Sequence, residues 1–410
     1  MNKHITIIGI NYYPEDTAIG LYTSQLSEYL SENGYEVSVI TGFPYYPAWK
    51  INNDYKGKKR FYKEIINDIT IYRYKQYVPK KPTFFRRILH LMDFTFGSLV
   101  NIFKIKKTDL VLCIVPVTST IIPAKFLAKF KKAKLWIHIQ DFELDAAVES
   151  NLIAKNNMFL KLLFKIEKIL LSRADAISTI SNAMYDKVKR KSKNTPTHLL
   201  PNWVDIDTIN PDKANGHPYL KSNKFKILYA GNIGEKQDWD FFIKFAEKLN
   251  NHKSIELILV GDGAQKNKIV SKIEKFNQVK FYTPVAYHEL SDLLCSADVH
   301  ILFQKENSID TVMPSKILAM MASQKPSIIT GNLQSEVAKV IEKSKGGYYF
   351  KSNDLESVME SIDKIIQDKS VAKTLGINAR KYVSENFFSQ QILGQFKINF
   401  DQIIENSNHG

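Results

Sequence analysis

The chain has 410 residues, 44% of them apolar, which is too long for one ordinary compact domain and enough for two cores. Its two cysteines, Cys113 and Cys295, are isolated in apolar surroundings, which excludes a disulfide framework or cysteine-based metal site and fits reduced thiols in a cytosolic protein. The net charge of +15 is uneven: residues 1–200 hold 31 Lys+Arg against 17 Asp+Glu, and residues 201–410 hold 26 against 25.

Such a surplus attracts nucleic acid, anionic lipid or a phosphorylated substrate, unless the lysines merely solubilise the surface. The opening MNKHITIIGI has too short an apolar run for a signal peptide and begins a strand pattern. No run of about 18 apolar residues occurs, so no membrane span is expected. Apolar strand-like runs then follow in order: ITIIGI (5–10), VSVIT (37–41), ITIYRY (69–74), LVLCIV (110–115), LWIHIQ (135–140) and AISTIS (176–181). A second series comprises KILYAG (226–231), IELILVG (255–261), VKFY (279–282), VHILF (299–303) and PSIIT (326–330). Helical patterns separate them, which predicts parallel sheets covered on both faces. The alternation occurs twice, so two doubly wound α/β domains are expected. The aperiodic stretch 195–222, rich in Pro, Asn and Asp, marks the break. The predicted division is an N-terminal domain over 1–200 and a C-terminal domain over 201–385. An amphipathic helix within 386–410 is expected to return to the N-terminal domain.

Ligands of doubly wound sheets bind beyond the carboxyl ends of the strands, and two such domains facing each other make a cleft. HIQDFELD (138–145) begins at such a strand end, which directs attention to His138 and Asp141. The first strand leads through a long loop to Gly20 and a helix starting around Leu21, an arrangement that lets backbone N–H groups approach a phosphate or sugar. A dinucleotide fingerprint is missing, because GDGAQK (261–266) has Lys266 at the third glycine position; the P-loop pattern is absent too. Lys236 in YAGNIGEKQ and Ser315 and Lys316 in MPSKI lie near two expected helix N-termini, where two lysines could neutralise a diphosphate. Segment 84–107 mixes aromatic and aliphatic residues with Arg86, Arg87 and further lysines, and Lys80 and Lys81 lie just upstream. It reads as a membrane-interface stretch or as a core helix with basic ends. No nucleic-acid-binding module is visible.

The segments INYYPEDTAIGLYTSQLSEYL, GFPYYPAW, YVPKKPTFFRRILHL, HIQDFELDAAVE, STISNAM, LPNWVD, GNIGEKQ and MPSKI occur in this order along nearly the whole chain. Together they resemble the family 4 glycosyltransferases of GT-B fold. The chain is most similar to the branch containing the colanic-acid fucosyltransferase and the N-acetyl-fucosamine transferases of O-antigen and capsule assembly. The resemblance implies retaining transfer from a nucleotide-diphosphate sugar, UDP in preference to GDP, without a bound metal. It implies an acceptor sugar on undecaprenyl diphosphate and a peripheral position on the anionic inner face of the cytoplasmic membrane. Carried over by position, Gly20 lies beside the donor phosphates, His138 near the transferred sugar, and Asp141 orients His138 or meets the acceptor. Lys236, Ser315 and Lys316 face the diphosphate. Gly261 and Gly263 of VGDG, with Val285 in TPVAYHEL, wall the base pocket. Lys80, Lys81, Phe84, Phe85, Arg86 and Arg87 are the expected membrane and acceptor contacts.

Two departures qualify the likeness. The family's glutamate pair is replaced by Thr311 and Ala319, with Glu306 and Asp310 as nearby substitutes, and Asn232 stands where many members have arginine. HIQDFELD itself has poor metal-ligand spacing. Its Glu143, Asp145 and Glu149 read as a helix N-terminal turn favoured by the dipole, and His138 has a bland alternative as a satisfied strand-end residue. Other functions open at this stage are a non-catalytic membrane-associated subunit that binds sugar nucleotide or lipid carrier, and a nucleotide-sugar epimerase.

Overall fold

The computed structural model describes every residue except 1–2, 16–17, 82, 143, 146–147, 149–157, 193, 307–314 and 407–410. The chain forms two compact units: Met1–Pro201 with Leu393–Gly410, and Asn202–Ile392.

In the first unit, strands β1 (Lys3–Ile8), β2 (Tyr35–Gly42), β3 (Phe61–Ile66), β4 (Ile69–Tyr74), β5 (Leu110–Val115), β6 (Lys134–Ile139), β7 (Ala176–Thr179) and β8 (Thr197–Leu199) form one sheet. Its order is β3-β4-β2-β1-β5-β6-β7-β8, and every pairing is parallel except β3 with β4. All six residues of β5 are buried, as expected for a central strand covered on both faces. The strand order reverses between β1 and β5, which leaves a crevice at their carboxyl ends.

The second unit repeats this plan with β9 (Phe225–Ala230), β10 (Ile255–Val260), β11 (Val279–Tyr282), β12 (Val299–Phe303), β13 (Ser327–Gly331) and β14 (Gly347–Lys351). All pairings are parallel and the order is β11-β10-β9-β12-β13-β14, so the switch point lies between β9 and β12. Helix starts are fixed by side-chain caps. Asp238 accepts from Phe241 N–H at 3.0 Å, Ser335 from Ala338 N–H at 3.1 Å and Asp354 from Ser357 N–H at 3.1 Å. Arg380 donates to the carbonyls of Ile206 (2.9 Å) and Ile209 (2.8 Å), tying the incoming chain to the helix Lys369–Asn386.

The last helix, Ser389–Glu405, runs into the first unit. There Phe400 packs edge-on against Trp136 at 5.0 Å and Phe396 against His138 at 5.1 Å. Lys3 bridges Asp401 (2.5 Å) and Glu405 (2.8 Å), and Tyr35 also donates to Asp401.

Three strands depart from the sequence reading. β3, β8 and β14 were not expected; each is an edge strand or the partner of one, partly exposed and without a continuous apolar run. The first helix begins at Ala18 rather than Leu21.

Candidate functional site

In the second unit, the carboxyl end of β9 carries Gly231, whose φ of +142° favours glycine. A Cβ there would meet the Lys316 amine at 3.1 Å. Lys316, on the helix Ser315–Ala322, lies over the Tyr229 ring (4.7 Å to its centre), and its amine donates to the phenol oxygen at 3.2 Å. Tyr229 in turn donates to the Asn232 carbonyl at 2.8 Å, and burial pushes its phenol pKa up, so it stays protonated. The segment 229–232 thereby fixes the ammonium of the sequence-distant Lys316 beside a glycine turn. Ser315 is exposed at the start of this helix.

Gly261 is required by close approach, since a Cβ would lie 2.0 Å from the Gly231 carbonyl oxygen. Gly263, at φ +152°, leaves space for the Asn232 side chain and the Ile233 carbonyl. The two turns are joined by Ile233 N–H donating to the Asp262 carbonyl at 2.8 Å. Gly261 N–H donates to the Tyr282 carbonyl at 3.1 Å, bringing the loop of Val285 alongside, and Val285 itself packs on the core. Lys236 is exposed and has no ion-pair partner among the described residues; its carbonyl accepts from Lys305 N–H at 3.2 Å. Ala319 is packed against the core, and Glu306 is exposed. Asp310 and Thr311 lie outside the described residues.

In the first unit, His138 closes β6 and is only 2% exposed. Burial lowers its pKa to about 3, so the ring is neutral. The Gln140 amide donates to Nε2 at 2.9 Å, which leaves the proton on Nδ1 to be donated to Ser178 Oγ at 2.8 Å. Trp136 Nε1 also donates to that hydroxyl at 2.8 Å. Ser178 and Gln140 thus each hold one ring nitrogen of His138. Asp141 Oδ1 accepts from Phe142 N–H at 2.8 Å. Asp145, in a helical turn, also pairs with Lys187 (3.0 Å) and Lys191 (2.6 Å). Glu143 and Glu149 lie outside the described residues.

Gly20 lies in the first turn of the helix Ala18–Glu32, where a Cβ would come within 2.8 Å of Glu15 Cβ. Glu15 was not singled out by the sequence. Its carboxylate is buried and accepts from Tyr45 N–H (2.8 Å), Tyr46 N–H (2.9 Å) and Asn11 Nδ2 (2.8 Å), while burial raises its pKa. It anchors the GFPYYPAW segment to the first loop. Beside that segment is a cavity of about 330 Å³ whose lining includes Trp49, Lys50, Lys56, Lys75, Val78 and Lys80. Arg87 lies over the Trp49 ring at 5.1 Å. Phe84 opens the helix Phe84–Asn101, and Lys81, Phe85, Arg86 and Arg87 are exposed around its start. Among the described residues, no group of three or more His, Cys, Asp or Glu side chains could hold a metal ion, and no helix is long and apolar enough to cross a membrane.

Residues 19–208 match the family described as Glycosyltransferase Family 4, and residues 213–382 match Glycosyl transferases group 1. The Escherichia coli protein WcaI, described as a colanic acid biosynthesis glycosyl transferase, is 31% identical over 96% of this chain and 98% of its own. The chain belongs to the family 4 glycosyltransferases. Solved structures share its fold, among them the following two. Sucrose-phosphate synthase of Thermosynechococcus elongatus superposes with a TM-score of 0.72 at 16% identity, covering 99% of this chain and 100% of that one. Anabaena Alr3699/HepE, solved with UDP-glucose, gives 0.67 at 13% identity over 97% and 99%. The two doubly wound sheets of this family 4 glycosyltransferase are thus those of the GT-B fold.

Two features of the family 4 chain escaped the sequence reading. Tyr229 sits inside an apolar strand and reads there as core, although a tyrosine just before a glycine turn is a usable signal. Glu15 is one carboxylate among several and gives no sign that it is buried.

Proposed function

We propose that this glycosyltransferase moves a sugar from a nucleoside-diphosphate donor to a lipid-linked sugar in bacterial polysaccharide assembly. The observation that carries this reading is the Gly231–Lys316–Tyr229 arrangement, an oriented ammonium at the carboxyl ends of β9 and β12. Such a cation suits a diphosphate leaving group, whose charge grows as the glycosidic bond breaks. Lys236 and Ser315 add donors nearby, and Gly261, Gly263 and Val285 form the nucleotide side. Asp310 and Glu306 are the candidates to replace the family's glutamate contact with the sugar. UDP is the favoured nucleotide; the UDP-glucose-bound HepE structure supports that choice by fold likeness. The likeness to WcaI supports a role in polysaccharide synthesis. We read the transferred sugar as fucose-type or N-acetyl-fucosamine-type.

The chemistry requires no metal in this reading. The acceptor hydroxyl attacks the anomeric carbon on the face the diphosphate leaves, so the configuration is retained. The new C–O bond forms as the bond to phosphate breaks, and the hydroxyl proton passes to the departing phosphate oxygen. Neutral, buried His138 works as a positioning residue through Gln140, with Asp141 presented just beyond the strand end. The acceptor's diphosphate is assigned to the lysine-lined cavity at Lys50, Lys56, Lys75 and Lys80, beside the exposed start of the helix Phe84–Asn101. On this reading the enzyme works peripherally on the inner, anionic face of the cytoplasmic membrane.

The test is release of nucleoside diphosphate from a panel of UDP- and GDP-sugars, with and without lipid-linked acceptor from bacterial membranes. Acceptor-dependent release from one donor is expected, and its loss in Lys316→Ala. The core-packed Ala319 and the Asn232 substitution also suit a binding subunit without turnover. Nucleotide binding without release from any donor would favour that reading.

A further inference from the structure

The first unit leaves apolar side chains in solvent on three helices that lie side by side. The helix Phe84–Asn101 packs against Ile121–Lys131, which packs against Met158–Leu171. On the first, Phe85 is 81% exposed, and Leu89, Met92 and Phe96 follow it at helical spacing. On the middle helix, Ile122, Phe126 and Phe130 recur every fourth residue, and Phe130 is 63% exposed. On the third, Met158, Leu162, Ile166 and Ile169 follow at helical spacings of four, four and three, and Met158 is 83% exposed. Of the 20 large apolar residues exposed among those described, 13 lie on these three helices and the turn after the first. Scattered exposure would be ordinary, but concentration on adjoining helices makes a surface.

Charge decides what covers it. Segments 84–107, 121–132 and 158–171 carry 12 Lys and Arg but only two acids, Asp93 and Glu167. Both acids are engaged inward. Asp93 accepts from Tyr74 (2.9 Å) and Tyr77 N–H (2.6 Å), and Glu167 is buried against Lys191. The outer face therefore combines apolar side chains with cations and almost no exposed carboxylate. Two copies of the chain joined here would bring like charges together. A bilayer with anionic headgroups takes aromatic and aliphatic side chains into its acyl boundary while lysine stems reach out to the phosphates.

We infer that these three helices together form a bilayer-docking plane that takes anionic phospholipid, not the first helix alone. The inference deepens the proposed lipid-linked acceptor and rests on that reading for its purpose, though its geometry does not depend on it. It assigns the helices Ile121–Lys131 and Met158–Leu171, which the sequence did not associate with a membrane, to the same surface as Phe85.

The test uses the full chain with vesicles of phosphatidylcholine alone or mixed with phosphatidylglycerol. Wild type is expected to sediment with the mixed vesicles and to be released by salt. The double variant Phe126→Glu/Phe130→Glu and the single variant Leu162→Glu are expected to bind at least roughly tenfold more weakly. All three positions are exposed, and folding of the first unit is checked by an unchanged circular-dichroism spectrum and unfolding midpoint. Wild-type binding that both variants keep would overturn the three-helix plane. A wild-type dimer that the variants convert to monomer would overturn it in favour of a second copy. No wild-type binding to mixed vesicles, with the nucleotide shift intact, would overturn the plane and leave the donor reading standing. Loss of the nucleotide shift with vesicle binding intact would do the reverse.

Discussion

Lys316 is held at the Tyr229 phenol and at the bare Cα of Gly231, so its ammonium is oriented before any ligand arrives. A charge-assisted contact of this kind is worth about 1.5–3 kcal/mol. Lys316→Ala should therefore weaken nucleoside-diphosphate binding by roughly ten- to a hundredfold, read by calorimetry, with little change in thermal stability. Gly261→Ala should act on the fold instead. Its methyl would have to displace the Gly231 carbonyl, at a cost of about 2–4 kcal/mol in urea unfolding. His138 and His300 predict an acid-sensitive fold. Burial lowers both pKa values to about 3, against about 6.5 in an unfolded chain. Above pH ~6.5 both states are neutral and nothing is lost. Between about 6.5 and 3 the unfolded chain takes up protons that the folded chain refuses, and each histidine lowers stability by up to about 1.4 kcal/mol per pH unit. Urea midpoints measured from pH 7 to 4 should fall, and His300→Asn should flatten the slope. Lys316 was legible in sequence as a cation at an expected helix start, but its place beside Gly231 was not. Tyr229 was not, because its contact with Lys316 spans 87 positions. The histidine at the strand end was legible too, but its partner Ser178 lies 40 residues away, and only the folded sheet shows both ring nitrogens occupied.

The final helix shows what an element adds. Phe396 and Phe400 are fully buried against β6 residues, although the helix is the last segment of the chain. Phe400→Ala should cost about 3–5 kcal/mol in the first unit, seen as a lower unfolding midpoint there with nucleotide affinity retained. Its amphipathic pattern was readable, and so were the central strands, because continuous apolar runs such as LVLCIV have few alternatives. The strands β3, β8 and β14 were not readable, since edge positions tolerate charge and partial exposure. The helix Phe84–Asn101 was visible as basic and amphipathic, but the two helices beside it were not. Their apolar stripes gain meaning only from being neighbours.

At the scale of the whole molecule, the charge asymmetry and the repeated doubly wound plan divide the labour. The basic first unit carries the exposed apolar helices and the lysine-lined cavity, and the nearly neutral second unit carries the glycine turns and Lys316. On the proposed reading, the second unit holds a nucleoside diphosphate through that lysine. The most direct test of that reading is the thermal shift of the purified protein with UDP, GDP, ADP and dTDP, without added metal, for wild type, Lys236→Ala and Lys316→Ala. A selective shift with one nucleotide, UDP before GDP, that shrinks in both variants is the predicted result. A shift that is equal for all four nucleotides, unchanged in the variants, or absent in wild type would contradict the account.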